Sequence, residues 1–123
     1  METMIGNVVL LVFLVVQIVV GTSLSRSNKP YKVALLVVHI ILSLFIILGF
    51  ASGIYVYLKG LVAGKMFAAI SLYAAGMALL LNLIVGVKLL TFKNISAKLT
   101  HMATAFVTAG LLIAHMIFLA AKI

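Results

Sequence analysis

The chain has no cysteine and no tryptophan, a single proline, and a single acidic residue, Glu2. Without cysteine there is no disulfide, no thiolate metal site, no iron–sulfur cluster and no cysteine nucleophile. With Glu2 alone near the N-terminus, mechanisms built on paired carboxylates or on a Ser-His-Asp triad lack their parts. Gly60 and Gly64 stand in an apolar stretch without the Gly-Lys-Ser/Thr that completes a phosphate loop. Charged residues make up only 8% of the 123, and 9 Lys or Arg leave a net charge of +8. Those cations are scattered between long apolar runs, so they form no clustered basic face for nucleic acid.

Apolar side chain is what the sequence has in excess: 67% of residues, with a mean hydropathy of +1.44. A soluble domain of this length cannot hide so much apolar surface, and disorder requires the opposite composition. The chain therefore reads as one all-α integral membrane domain over residues 1–123. A bilayer core about 30 Å thick takes about 20 residues of apolar helix. Four such helices are predicted, at approximately 4–24, 31–58, 61–90 and 97–121, joined by short loops into an antiparallel bundle.

Ser25 to Pro30 is a polar turn in which Pro30 can open the second helix. Lys59-Gly60 and Thr91 to Ser96 are the other connections. Asn94-Ile95-Ser96 matches a glycosylation acceptor, but its place against the membrane reads as a loop with a helix cap. The first stretch lacks a positively charged start and exceeds the apolar core of a signal peptide, so it is read as a helix. Gly49 with Gly53, and Gly60 with Gly64 and Ala68, set small residues at the spacing that lets helices pack closely. The letters of the four stretches show no clear repeat.

The loops after the first and third helices share one side of the membrane and hold Arg26, Lys29, Lys32, Lys88, Lys93 and Lys98. The other side holds Glu2, Lys59, Lys65 and Lys122. The positive-inside rule puts the basic loops in the cytoplasm and both termini outside, as in a multi-pass protein of a prokaryotic plasma membrane.

His39, His101 and His115 each fall inside an apolar stretch, where an ionisable group is costly and is a functional candidate for that reason. His39 follows Pro30 by nine residues and His101 follows Ser96 by five, so the second and fourth helices carry imidazoles near the same membrane face. Opposed imidazoles on two helices of a bundle can grip haem iron from both sides. This predicts a b-type haem between helices two and four, with Arg26, Lys29 and Lys98 among the cations placed to meet its propionates. Ser43 and Thr104, about a turn beyond the histidines, would border it. Ile46, Phe50 and Gly53 continue the His39 face as an apolar wall.

His115 lies fourteen residues beyond His101, which is about 21 Å along the helix and nearly on the same face. Gly53 stands at the matching place after His39. A second haem would therefore need Met66 or a histidine from another subunit as its other ligand, and one haem per chain is the expectation without it. His101-Met102 and His115-Met116 are soft pairs suited to Cu(I), but adjacent helical residues point about 100° apart and cannot close on one ion.

Gln17-Ile18-Val19-Val20-Gly21, the polar Ser25-Arg26-Ser27 and the run Val37-Val38-His39-Ile40-Ile41-Leu42-Ser43 resemble one half of the haem A synthase family. That family is built from two four-helix halves, with haem-ligating histidines on the second and fourth helices of each. The resemblance implies His39 and His101 as ligands and covers the whole chain in helix count. The catalytic half of the family carries a glutamate one turn before its second-helix histidine and often a cysteine pair in an outer loop. Here Leu35 occupies that place and cysteine is absent. The family's histidines also lie toward the outer face, whereas the charge count puts His39 and His101 toward the cytoplasm. The part of the resemblance that depends on neither point is the haem-holding bundle.

Three functions follow from these residues. The first is a small b-type cytochrome passing single electrons within a respiratory complex or a quinone-linked chain, in contact with other membrane subunits or further copies of itself. The second is a compact haem A synthase-like enzyme. The third is a cofactor-free accessory subunit whose histidines bond neighbouring helices.

Overall fold

The computed structural model describes residues 2–26, 33–59, 66–91 and 95–121. They form four α-helices, α1 (Glu2–Arg26), α2 (Val33–Leu58), α3 (Met66–Thr91) and α4 (Ile95–Ala120), with no strand among the described residues. All four are long and apolar enough to cross a membrane. The chain is a multi-pass membrane protein whose surroundings are lipid. Large side chains such as Val19, Leu48, Met77 and Ile117 are exposed all round the bundle, the pattern of helices that meet hydrocarbon rather than water.

The expected spans hold, with shifted ends. α1 reaches two residues further at each end than expected and α3 starts at Met66, while residues 60–65 lie outside the described part. α4 begins at Ile95, so Ser96 is already helical and its carbonyl accepts the Thr100 hydroxyl at 2.9 Å. Asn94, Gly60 and Gly64 lie outside the described residues.

The helices pack in a ring. α1 contacts α2 and α4, α3 contacts α2 and α4, and neither diagonal pair touches through its backbone. The core is a column of Leu10, Leu14, Ile46, Phe50, Leu72, Ala75, Leu79 and Leu112. Lipid tails are as apolar as these side chains, so the column is held by close packing and not by expulsion of water. Gly49 is one condition of that packing, since a Cβ there would lie 2.8 Å from Leu10 Cδ1.

A repeat invisible in the letters emerges from burial. Leu10, Leu14, Gln17 and Gly21 of α1 match Ala75, Leu79, Asn82 and Gly86 of α3 at one constant offset. His39, Ile46 and Phe50 of α2 match His101, Thr108 and Leu112 of α4 at another. The four apolar α1 and α3 members of these pairs are buried, as are Ile46, Phe50, Thr108 and Leu112. The bundle is thus two like hairpins, α1–α2 and α3–α4, each bringing one histidine from its second helix.

Candidate functional site

α2 and α4 stand at opposite corners of the ring, yet His39 and His101 meet across the diagonal. Their ring centres are 6.2 Å apart and their planes cross at 70°. Each histidine is supported by an amide and a glycine from the preceding helix and by a hydroxyl from its own.

On the α1–α2 side, Gln17 Nε2 donates to the main-chain carbonyl of His39 at 2.9 Å and to Ser43 Oγ at 2.5 Å. Ser43 Oγ donates in turn to the same His39 carbonyl at 2.9 Å. On the α3–α4 side, Asn82 Nδ2 donates to the His101 carbonyl at 2.5 Å and to Thr104 Oγ1 at 3.0 Å. The Thr104 hydroxyl is shared between the carbonyls of Thr100 and His101 at 2.8 and 3.1 Å. These bonds show how Gln17 and Asn82 are tolerated in apolar helices: a polar side chain in hydrocarbon survives where a neighbouring helix satisfies it.

The glycines lie one turn beyond the amides. A Cβ on Gly21 would come within 3.2 Å of His39 Cε1, and one on Gly86 within 2.8 Å of His101 Cε1. Each imidazole therefore rests directly on the backbone of the preceding helix. His101 Nδ1 lies 2.9 Å from the main-chain carbonyl of Asn82. A carbonyl only accepts, so Nδ1 carries the hydrogen and Nε2 keeps its lone pair for a ligand. An N–H held by a backbone carbonyl is the usual support of a metal-binding histidine. His39 differs, because its Nδ1 is buried without a partner, as is Oε1 of Gln17.

Beside the two imidazoles lies a cavity of about 320 Å³ with walls from all four helices, including Gln17, Leu36, Phe106 and Lys98. That size is at the lower end for small-molecule sites. Ser43 lines it as expected; Thr104 and Gly53 are not among its lining residues, and Ile46 and Phe50 belong to the packed core. Of the three cations assigned to propionates, Lys98 lines the cavity. The Arg26 side chain and all of Lys29 lie outside the described residues.

His115 is not among the cavity's lining residues. It is 1% exposed in the packed half of the bundle, its Nδ1 donates to the Ala68 carbonyl at 2.7 Å, and Tyr57 meets its ring edge-on at 5.8 Å. Met66 opens α3 with its side chain 64% exposed. The two are not brought together as a ligand pair.

Asn82 and Gly86 escaped the sequence reading, and Gln17 and Gly21 entered it only as part of the family resemblance. The available signal was an amide four residues before a glycine, Gln17 with Gly21 in the first apolar stretch and Asn82 with Gly86 in the third. No protein-family model, curated protein or solved structure matches the chain.

Proposed function

We propose that the protein is a membrane b-type cytochrome that holds one haem between α2 and α4 through Nε2 of His39 and Nε2 of His101. The separation of the two rings carries the reading. Two imidazoles on opposite sides of one ion, with metal–nitrogen bonds of about 2 Å, have their centres about 6 Å apart, and these centres lie 6.2 Å apart.

The donor set fits a haem better than a bare ion. Among the described residues there is no group of three or more His, Cys, Asp or Glu able to hold a metal. Zinc would take four protein donors, whereas a haem brings its own ring nitrogens and asks for an axial pair. The mainly apolar cavity walls suit a porphyrin, and Lys98 offers a cation toward the basic end of the bundle.

Bound haem supplies reversible one-electron chemistry. The chain's residues orient it, exclude water and occupy both axial positions, which favours electron transfer over oxygen chemistry. Electrons would pass to other membrane subunits, to further copies of the chain or to a quinone. The basic connections at the haem end favour a cytoplasmic position for it in a prokaryotic plasma membrane, with the termini outside. Kinship with the haem A synthase family gains support from Gln17 and Gly21, the residues of the shared motif that contact His39. The Leu35 position argues against that family's hydroxylation.

The test is a dithionite-reduced minus air-oxidised optical spectrum of the detergent-purified protein, expressed with ample haem. A sharp reduced α-band with about one haem per chain by pyridine haemochrome is expected from two axial imidazoles. A colourless, folded protein would overturn the reading in favour of a cofactor-free accessory subunit.

A further inference from the structure

The two hairpins carry the same support for their histidines except at one bond. In the α3–α4 hairpin the imidazole N–H is tied to the carbonyl of Asn82. In the α1–α2 hairpin the equivalent carbonyl is that of Gln17, and the equivalent nitrogen, His39 Nδ1, is buried with nothing to bond.

Glycine is one way a helix carbonyl is left open to a ring on a neighbouring helix; His115 reaches the Ala68 carbonyl past Leu72. Side chains on an α-helix lean toward its N-terminus and cover the turn before their own Cα. A residue one turn later therefore partly screens the carbonyl it follows, whose oxygen has a second lone pair beyond the one used in the helix. Glycine at that position removes the screen. Gly86 does so for Asn82, with His101 Nδ1 lying 3.2 Å from where its Cβ would be. Gly21 does so for Gln17, and there His39 Nδ1 is 3.7 Å from the corresponding point. The His39 ring stands slightly further from α1 than the His101 ring does from α3.

We infer that Gly21 is a positioning residue for the haem ligand His39: it keeps the Gln17 main-chain carbonyl open so that His39 Nδ1–H bonds to it when the site is filled, matching His101 on Asn82. The inference rests on the haem reading above. With the site filled, Nε2 of His39 would face the iron, and a buried N–H left unbonded is unfavourable, so the ring would settle where Nδ1–H has an acceptor. Gln17 then acts twice, its side-chain amide holding the His39 carbonyl and its own carbonyl holding the His39 ring. The bond strengthens the imidazole as a donor to ferric iron and lowers the reduction potential.

Gly21→Ala and Gly21→Ser separate this role from mere space-keeping. Alanine screens the carbonyl and offers no acceptor; serine is as bulky at Cβ but brings a hydroxyl that can accept the N–H and donate to the Gln17 carbonyl. The midpoint potential of the bound haem, read by optical redox titration, should rise in Gly21→Ala and return toward the wild-type value in Gly21→Ser. An unchanged potential in Gly21→Ala, or equal shifts in both variants, would overturn the inference. So would loss of haem from both folded variants while the wild type keeps it, because Gly21 would then serve only to make room. A wild-type protein without haem would instead defeat the underlying functional reading.

Discussion

The α1–α2 and α3–α4 hairpins are built to one plan from different materials. α1 and α2 are rich in valine, leucine and isoleucine, whereas α3 and α4 carry small residues along their contact, among them Ala68, Ala75 and Ala105. Small residues let backbones approach closely, and α3 with α4 is the most extensively packed pair in the bundle. The amide follows the spacing: the shorter Asn82 reaches the histidine carbonyl in the tighter hairpin, and the longer Gln17 does so in the looser one. The ring follows as well. His101 is seated on Gly86 with its N–H bonded, while His39 sits further from Gly21 with its Nδ1 unbonded.

The largest effect that would break the comparison is loss of either ring. His39→Ala and His101→Ala should each abolish the reduced α-band, whereas His115→Ala should keep it and lower only the melting temperature. A band retained in both of the first two would remove the two-hairpin site. Next come the glycines, which should respond unequally. Gly86→Ala forces a Cβ against a ring fixed by its own hydrogen bond, so a destabilisation of about 1–3 kcal/mol is expected from overpacking, along with weakened haem retention. Gly21→Ala has more room and should cost less while keeping its haem; equal losses in thermal melts and haem content would contradict the difference in seating. Smaller again are the amides. Gln17→Leu and Asn82→Leu should each lower stability by about 1 kcal/mol, the usual worth of polar contacts between membrane helices. A melt unaffected by either would show that these bonds hold nothing in place.

The sequence announced the four helices because runs of apolar residues count themselves against the thickness of a bilayer, and the pairing of His39 with His101 followed from their like distances from one membrane face. Ser43 was legible for the same reason, about one turn beyond His39, whereas Thr104 bonds Asn82 and is not among the cavity's lining residues. Helix ends were less so: α4 takes in Ile95 and Ser96 because hydrogen bonds of the first turn, such as Thr100 to Ser96, extend it into polar residues. The repeat was hidden because, apart from Leu14 with Leu79, Gly21 with Gly86 and His39 with His101, the matched pairs share burial and role rather than identity. Leu10 answers to Ala75, Ile46 to Thr108 and Gln17 to Asn82, pairs that no comparison of letters would join. His115 shows the opposite case. Its fourteen-residue spacing from His101 suggested a second haem, yet Ala68 stands the same number of residues before Asn82, and the bond from His115 to Ala68 repeats the bond from His101 to Asn82 with no cavity-lining position beside it. Spacing along one helix shows which groups share a face, but not whether the neighbouring helices leave room in front of them.

The central claim is that His39 and His101 bind one iron from opposite sides with their planes crossed at 70°. Low-temperature electron paramagnetic resonance of the air-oxidised, haem-loaded protein tests it most directly. The expected spectrum is a low-spin ferric signal of the strongly anisotropic kind given by crossed imidazole planes. A high-spin ferric signal would show that one of the two axial positions is not held by histidine, and would contradict the account.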